Sequence, residues 1–197
     1  FGSGDAGEEF DDADEDLNFE LDQDSFLTLS AERLKSTMLS WHYRSRSEEL
    51  ISFSNRAFYG GRLLTIPSVR NRQEEPEIHV ADAGVPPLSA SEVLARPISY
   101  HMVKGGVYAL RRNAEEARYI AHVLRDILAQ DSGKTIGIVA FSEAQQSEVE
   151  TALNELARTD EGFARRLDAE YEREKDGEFI GLFVKNLENV QGDERDI

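Results

Sequence analysis

Apolar positions along the chain fall into helical stripes separated by short β-rich runs. Leu50, Phe53, Ala57 and Phe58 share one face of a helix expected from Ser47 to Tyr59, which Gly60 and Gly61 should stop. Ala117, Ile120, Ala121, Leu124, Ile127 and Leu128 mark a longer helix from Asn113, a good cap, to about Gln130. Val149, Leu153 and Leu156 define another over 143–158. A shorter helix is expected from Ser25, carrying Phe26, Leu27, Leu29 and Leu34. Phe163, Leu167 and Tyr171 repeat at helical spacing in a charged stretch, 159–178, which reads as a mobile helix over one edge.

Between these lie strand-like runs at 37–41, 98–103, 135–141 and 180–184. The run Ile136-Gly137-Ile138-Val139-Ala140 is continuously apolar, as a buried parallel strand requires. Residues 67–97 contain all five prolines and read as loop. Strands alternating with helices predict an α/β layer with parallel pairing and crossover helices.

At 197 residues with 40% apolar content, the chain has material for one good core. One domain plus a tail is therefore expected, with residues 1–24 as an acidic disordered segment or loop and 25–197 as the folded part. The first 24 residues hold eleven acids and no base, too polar to offset the entropy of ordering. No run is long enough for a membrane span, and the acidic start is unlike a signal peptide, so a cytoplasmic protein without membrane contact is expected. The chain has no cysteine, and its four histidines, at 42, 79, 101 and 122, show no ligand spacing, so no metal site is expected.

A net charge of −17 argues against a phosphate-rich partner, but charge is unevenly placed. Residues 33–72 carry eight bases against Glu48 and Glu49. Screening confines the relevant field to roughly 10 Å at ordinary salt, so a local basic face keeps nucleic acid in play. The competing expectation is a non-catalytic interaction module in which the acidic segment mimics nucleic acid and the α/β body docks a protein partner.

One apparent motif fails on physical grounds. Ser132-Gly133-Lys134-Thr135 ends like a phosphate-binding loop, yet position 128 is leucine, a helix precedes it and a strand follows. The loop chemistry needs the reverse order, with a helix N-terminus facing the phosphate. A helix-to-strand turn capped by Gly133 is expected instead.

Tyr43 and Arg44 sit where the first strand should end, the place where ligands of α/β sheets gather. An arginine there can fork onto phosphate oxygens and oppose charge on a transferred phosphoryl group, and a tyrosine offers a flat face to a base. By spacing alone, Arg44 and Arg46 could equally pair with Glu48 or Glu49. The surrounding residues, His42-Tyr43-Arg44-Ser45-Arg46, Glu49-Leu50-Ile51, Phe53-Ser54-Asn55 and Phe58-Tyr59, resemble motif IV of superfamily 1 helicases. Near the other end, Val190-Gln191-Gly192-Asp193-Glu194-Arg195-Asp196 resembles motif V of the same family.

The resemblance covers about 25–197 and is closest to the branch of the nonsense-mediated-decay helicase and large bacterial helicase-like proteins. It implies an incomplete second RecA-like domain, an α/β three-layer sandwich with a mainly parallel sheet, ending in motif V. By it, Tyr43 packs on adenine, Arg44 reaches the γ-phosphate as the catalytic arginine, Glu194 accepts from the ribose and Gly192 lets backbone approach the nucleotide. Asn186 stands where the family commonly has a nucleic-acid-contacting threonine. Ile136 to Phe141 followed by Gln145 resembles a further strand and turn with such a contact. The implied cofactors are ATP and Mg, and the implied partners are single-stranded DNA, or RNA, and a first RecA-like domain in the same parent. The phosphate loop and Mg ligands are expected outside this sequence, so the chain alone is expected to hydrolyse no ATP.

Overall fold

The computed structural model describes residues 26–67, 78–82, 85–86 and 88–197. The expected acidic segment, 1–24, lies outside the described residues. The chain divides into two compact units. The first takes in 26–46 and Phe53–Ile66, and the second takes in Ser47–Ser52 and the described residues from Pro67 to Ile197.

In the first unit, α1 (Phe26–Arg33) leaves Phe26 and Leu27 largely exposed. Strand β1 (Trp41–His42) pairs in parallel with β2 (Leu64–Thr65), Trp41 opposite Leu64. The expected strand over 37–41 is thus reduced to its end and shifted by a residue. The register explains this: in the parallel pair residues 37–40 would lie opposite 60–63, where Gly60 and Gly61 turn the chain at positive φ and cannot continue a strand. Helix α2 (Glu49–Phe58) crosses the division between the units and starts two residues later than expected. Gly60 and Gly61 end it with φ of 59° and 73°, and the Gly61 N–H bonds back to the Asn55 carbonyl at 2.9 Å.

The second unit begins its sheet structure with β3 (Ile78–Ala81), paired in parallel with β4 (Tyr100–Val103) in register from Ile78 opposite Tyr100 to Ala81 opposite Val103. Helix α3 (Ala90–Ala95) lies between them in sequence. Both β3 and α3 fall in the proline-rich stretch expected to be loop. Strand β3 escaped notice because its inward residues are His79 and Ala81, which give no apolar alternation. Helix α3 carries a legible sign, the reciprocal capping box of Ser89 and Glu92.

Helix α4 (Ala114–Leu128) is capped by the Asn113 side chain, as expected. After it come β5 (Gly137–Ala140), α5 (Glu143–Thr159) capped by Ser142, and α6 (Glu161–Tyr171) capped by Asp160. A hairpin of β6 (Glu174–Lys175) and β7 (Glu178–Phe179) turns at Asp176 and Gly177, whose φ of 55° and 82° suit a type I′ turn. Strand β8 (Phe183–Asn186) returns to lie parallel with β5, Gly137 opposite Phe183 and Ala140 opposite Asn186. Of the described strand pairs three are parallel, the α/β pattern with mainly parallel pairing of an incomplete RecA-like domain.

Leu124 and Ile127 from α4, Val149 and Leu153 from α5, and Ile136, Leu182 and Val184 beside the β5 and β8 pair form the core with Phe163 and Leu167. Helix α6 is therefore not a loose cover. Phe163 is completely buried and Leu167 nearly so, and burying each such side chain stabilises by about 1.5–3 kcal/mol. Gly133, at φ 68°, turns the chain from α4 toward β5, so the Ser132 to Thr135 stretch is the expected turn. No helix among the described residues is long and apolar enough to cross a membrane.

Candidate functional site

Tyr43 and Arg44 follow directly on β1 at the carboxyl end of its parallel pair, and both are exposed. His42 shares a 2.7 Å hydrogen bond with the Ser45 hydroxyl, tightening the turn that carries them. Asn55, within the motif IV resemblance, supports the same strand pair from below in the sequence. Its amide donates to the Leu63 carbonyl at 3.0 Å and its oxygen accepts from the Leu63 N–H at 2.9 Å, fixing the entry to β2. The Leu64 N–H then donates to the Ser40 carbonyl at 2.7 Å.

In the second unit, Asn186 is the last residue of β8 and Gln145 follows the carboxyl end of the adjacent parallel strand β5. Asn186 is buried, and its side-chain oxygen accepts from the Asn189 N–H at 3.1 Å, closing the turn after β8. Gln145 is buried as well. Its oxygen accepts the Asn113 N–H at 2.5 Å while its amide donates to the Asn113 carbonyl at 3.2 Å. Both ends of the side chain are spent on one backbone residue.

The segment from Asn186 to Ile197 is tied down at several points. Lys185 pairs with Asp193 at 2.6 Å, and Gly192, at φ 91°, completes a turn in which the Asp193 N–H reaches the Val190 carbonyl at 3.1 Å. A Cβ placed on Gly192 would meet nothing within 4 Å, and Glu194 is exposed. Arg195 donates to the carbonyls of Gly181 (2.9 Å), Phe179 (3.4 Å) and Glu194 (2.7 Å), and its guanidinium lies over the rings of Phe179 and Phe183. Asp196 accepts from the N–H and hydroxyl of Thr135, and the Ile197 backbone bonds to Thr135 and Gly137 in parallel fashion. The stretch resembling motif V is thereby laid along β5 with Glu194 facing solvent.

Sequence reasoning missed a strained turn tied to Ser142, just past the carboxyl end of β5. Ala109 and Arg112 exchange backbone hydrogen bonds, and between them Leu110 and Arg111 have φ of 51° and 62°. Two consecutive side-chain-bearing residues in the left-handed region cost about 1–2 kcal/mol each. Three contacts hold them there. The Ser142 hydroxyl donates to the Arg111 carbonyl at 2.6 Å, Gln145 grips Asn113, and Arg112 pairs with Glu148 at 3.0 Å. A shallow cavity of about 270 Å³ lies against this turn, lined by Leu110, Arg112, Ala144, Ser147, Glu148 and Thr151. A larger one, about 450 Å³, opens beside β8, lined by Glu150, Asn154, Tyr171 and residues 182–185. Burial, then the nearby Glu150 and Asp168, push the Tyr171 phenol up.

A second unforeseen cluster joins β3, β4 and α4. His79 and His101 are opposed across the strands with ring centroids 5.4 Å apart, and His101 Nδ1 hydrogen-bonds the Tyr119 hydroxyl. Burial, then the neighbouring His79, hold the His101 imidazole below its usual range, and burial pushes Tyr119 up to about 12. His79 Nε2 is buried with no partner among the described residues. No group of three or more histidines, aspartates or glutamates placed to hold a metal ion is found among the described residues.

A family model described as an AAA domain matches residues 21–197. The chain is similar to Uncharacterized ATP-dependent helicase MG140 of Mycoplasma genitalium, with 32% identity over 163 residues that take in 82% of this chain and 12% of that protein. It is also similar to the MG140 homolog of Mycoplasma pneumoniae, with 31% identity over 166 residues and the same two shares. The chain thus spans about an eighth, 12%, of the length of these curated relatives. No solved structure matches it. A match over nearly the whole chain, on an α/β body with parallel strands, settles the family: the chain belongs to the AAA domain family and is superfamily 1 helicase-like.

Proposed function

We propose that the chain is part of an ATP-dependent helicase or translocase motor acting on single-stranded nucleic acid. The supporting observation is Arg44 beside Tyr43, both exposed directly after a parallel strand, within a sequence that matches the AAA domain family. In this reading Tyr43 packs on adenine and Arg44 reaches the γ-phosphate, where its fixed positive charge opposes charge that develops during transfer. Glu194 accepts from the ribose, and Gly192 leaves room for the nucleotide beside the backbone. Other parts of the parent protein hold the phosphates and Mg. Asn186 and Gln145, at the ends of β8 and β5, belong to the side that follows the strand of nucleic acid. ATP binding and hydrolysis then shift the motor between states that grip the strand differently.

The test is nucleic-acid-stimulated ATP hydrolysis by the full-length protein, with Arg44→Ala beside wild type. Loss of turnover by about 10³-fold with ATP still bound is the expected result, the range of an arginine that acts on the transferred phosphoryl group. Unchanged turnover would remove Arg44 from the chemistry. Turnover by this chain alone would overturn the assignment of the phosphate loop to another part of the parent.

A further inference from the structure

We propose that the outer edge of β8, with the cavity beside it, receives an extended peptide segment that carries an arginine. The backbone of the segment pairs with Val184, and its arginine meets Glu150. None of the residues involved is assigned to the nucleotide or to the nucleic acid above.

Hydrogen bonds fix which way each residue of β8 turns its backbone. The Leu187 N–H donates to the Ala140 carbonyl at 3.1 Å, so by the alternation of a strand Lys185 and Phe183 also turn their backbone groups toward β5. Strand β5 is bonded on both sides, because its Gly137 N–H reaches the Ile197 carbonyl at 2.9 Å. Leu182, Val184 and Asn186 turn outward from the pair. The Leu182 N–H is taken by the Glu170 carbonyl near the end of α6, at 3.1 Å, and the Asn186 carbonyl by the Asn189 N–H, also at 3.1 Å. The N–H and carbonyl of Val184 are left without a partner among the described residues. A strand edge with open backbone groups is a template for another extended chain. One residue facing Val184 in antiparallel register would exchange both bonds with it.

The side of the cavity sets the chemistry of the segment. Val184 opens onto the space of about 450 Å³ that Glu150, Asn154 and Tyr171 complete. Glu150 and Asn154 stand one turn apart on α5, and Tyr171 ends α6. Glu150 Oε1 accepts from the Gln146 amide at 3.1 Å, and its Oε2 has no partner among the described residues. Lys185, the base among the lining residues, is already neutralised by Asp193 at 2.6 Å. The charge left over is therefore negative. An arginine suits the three walls together: its fork meets the Glu150 carboxylate, its plane lies on the Tyr171 ring, and the Asn154 side-chain oxygen accepts a further N–H.

The experiment uses the full-length protein and a fluorescein-labelled peptide of alternating threonine and valine with arginine at its centre, read by anisotropy. The same peptide with alanine or glutamate at the centre serves as comparison. The arginine peptide should bind about ten-fold more tightly than the alanine peptide, and the glutamate peptide more weakly than either. Glu150→Gln keeps the acceptor for Gln146 and should erase that preference at unchanged melting temperature. Val184→Pro removes the outward N–H and should weaken all three peptides. Glu150→Arg, which fills the site with a base of the chain's own, gives the same loss without touching the strand. Hydrogen exchange separates edge pairing from charge attraction: the bound arginine peptide should slow the Val184 amide about ten-fold or more and leave that of Lys185, which faces β5, unchanged. Binding of the three peptides within about two-fold of one another, no binding below about 1 mM, or a Val184 amide that does not respond would each overturn the proposal. A dimer of the protein that Glu150→Arg disperses, with no preference for arginine, would give the edge to a second copy and overturn it as well.

Discussion

Gln145 closes both ends of its side chain on the backbone of Asn113, 32 residues earlier, accepting the N–H at 2.5 Å and donating to the carbonyl at 3.2 Å. Asn113 is itself the cap of α4, and Ser142, three residues before Gln145, caps α5. The two helix starts are therefore locked to each other through buried polar groups. Gln145→Ala would leave the Asn113 N–H and carbonyl buried without those partners. An unmet buried donor or acceptor costs about 1–3 kcal/mol, so the midpoint in urea should fall by that order. Gln145→Glu keeps an acceptor for the N–H and sets a charged oxygen against the carbonyl. It should be at least as damaging at neutral pH and should recover as the carboxyl protonates in mild acid. Equal midpoints for wild type and Gln145→Ala would show that the pair is replaced by water at no cost.

Two glycines sit where a methyl group has no room, for different reasons. A Cβ on Gly181 would run into the carbonyl oxygen of Glu170, at the end of α6, and the nearest atoms to one on Gly137 belong to the ring of Phe183. Backbone cannot step aside as a ring can. Gly181→Ala should therefore destabilise by about 3 kcal/mol or prevent folding, and Gly137→Ala by about 1–3 kcal/mol. The distinction is sharpest in rescue. Phe183→Leu in the Gly137→Ala background should recover part of the loss, measured as thermal midpoint, and should do nothing for Gly181→Ala.

The elements that could be read from the sequence are those whose side chains follow a period. Helices α4 and α5 were legible because Leu124, Ile127, Val149 and Leu153 recur at helical spacing and are buried. The hairpin of β6 and β7 was not, although Asp176-Gly177 is a strong turn signal. Its strands, Glu174–Lys175 and Glu178–Phe179, are exposed throughout and carry no alternation, so the surrounding charge read as helix surface. At the candidate site, the position of Tyr43 and Arg44 after a strand followed from the chain order. The grip of Gln145 on Asn113 did not, because backbone partners leave no mark in a side-chain pattern. Nor could the strained turn be found, since Leu110-Arg111 lacks the asparagine or glycine that announces left-handed backbone.

Arg195 turns the stretch after β8 into structure. Its three carbonyl partners come from β7, the residue before Leu182, and its own neighbour Glu194, and its charge lies over two rings. Arg195→Lys keeps the charge and loses the planar fork, which a single ammonium group does not replace. Destabilisation of about 1–2 kcal/mol is expected, concentrated near this end. Hydrogen exchange gives the reading: the amides of Gly137 and Ile197, which bond across to each other's segment, should exchange faster, while those of α4 keep their protection. Uniform loss across the unit would instead mean that Arg195 acts on the core as a whole.

The histidines of β3, β4 and α4 give the fold a dependence on acid. His101 is held below its ordinary value of 6.5 by burial and by His79, with the Tyr119 hydroxyl on its Nδ1. His122, also on α4, is lowered by burial and then by Arg125, against the opposing effect of Asp126. A base whose affinity for protons is lower in the fold than in the unfolded chain leaves the unfolded state binding more protons at acid pH. Stability is then fully present above 6.5 and is lost as pH falls from 6.5 through the lowered folded values. Thermal midpoints measured from pH 7.5 down to pH 5, at constant ionic strength, should fall on the acid side. His101→Gln keeps a polar side chain at that position without a titrating ring. It should shallow the acid slope, and an unchanged slope would place the proton uptake elsewhere than His101.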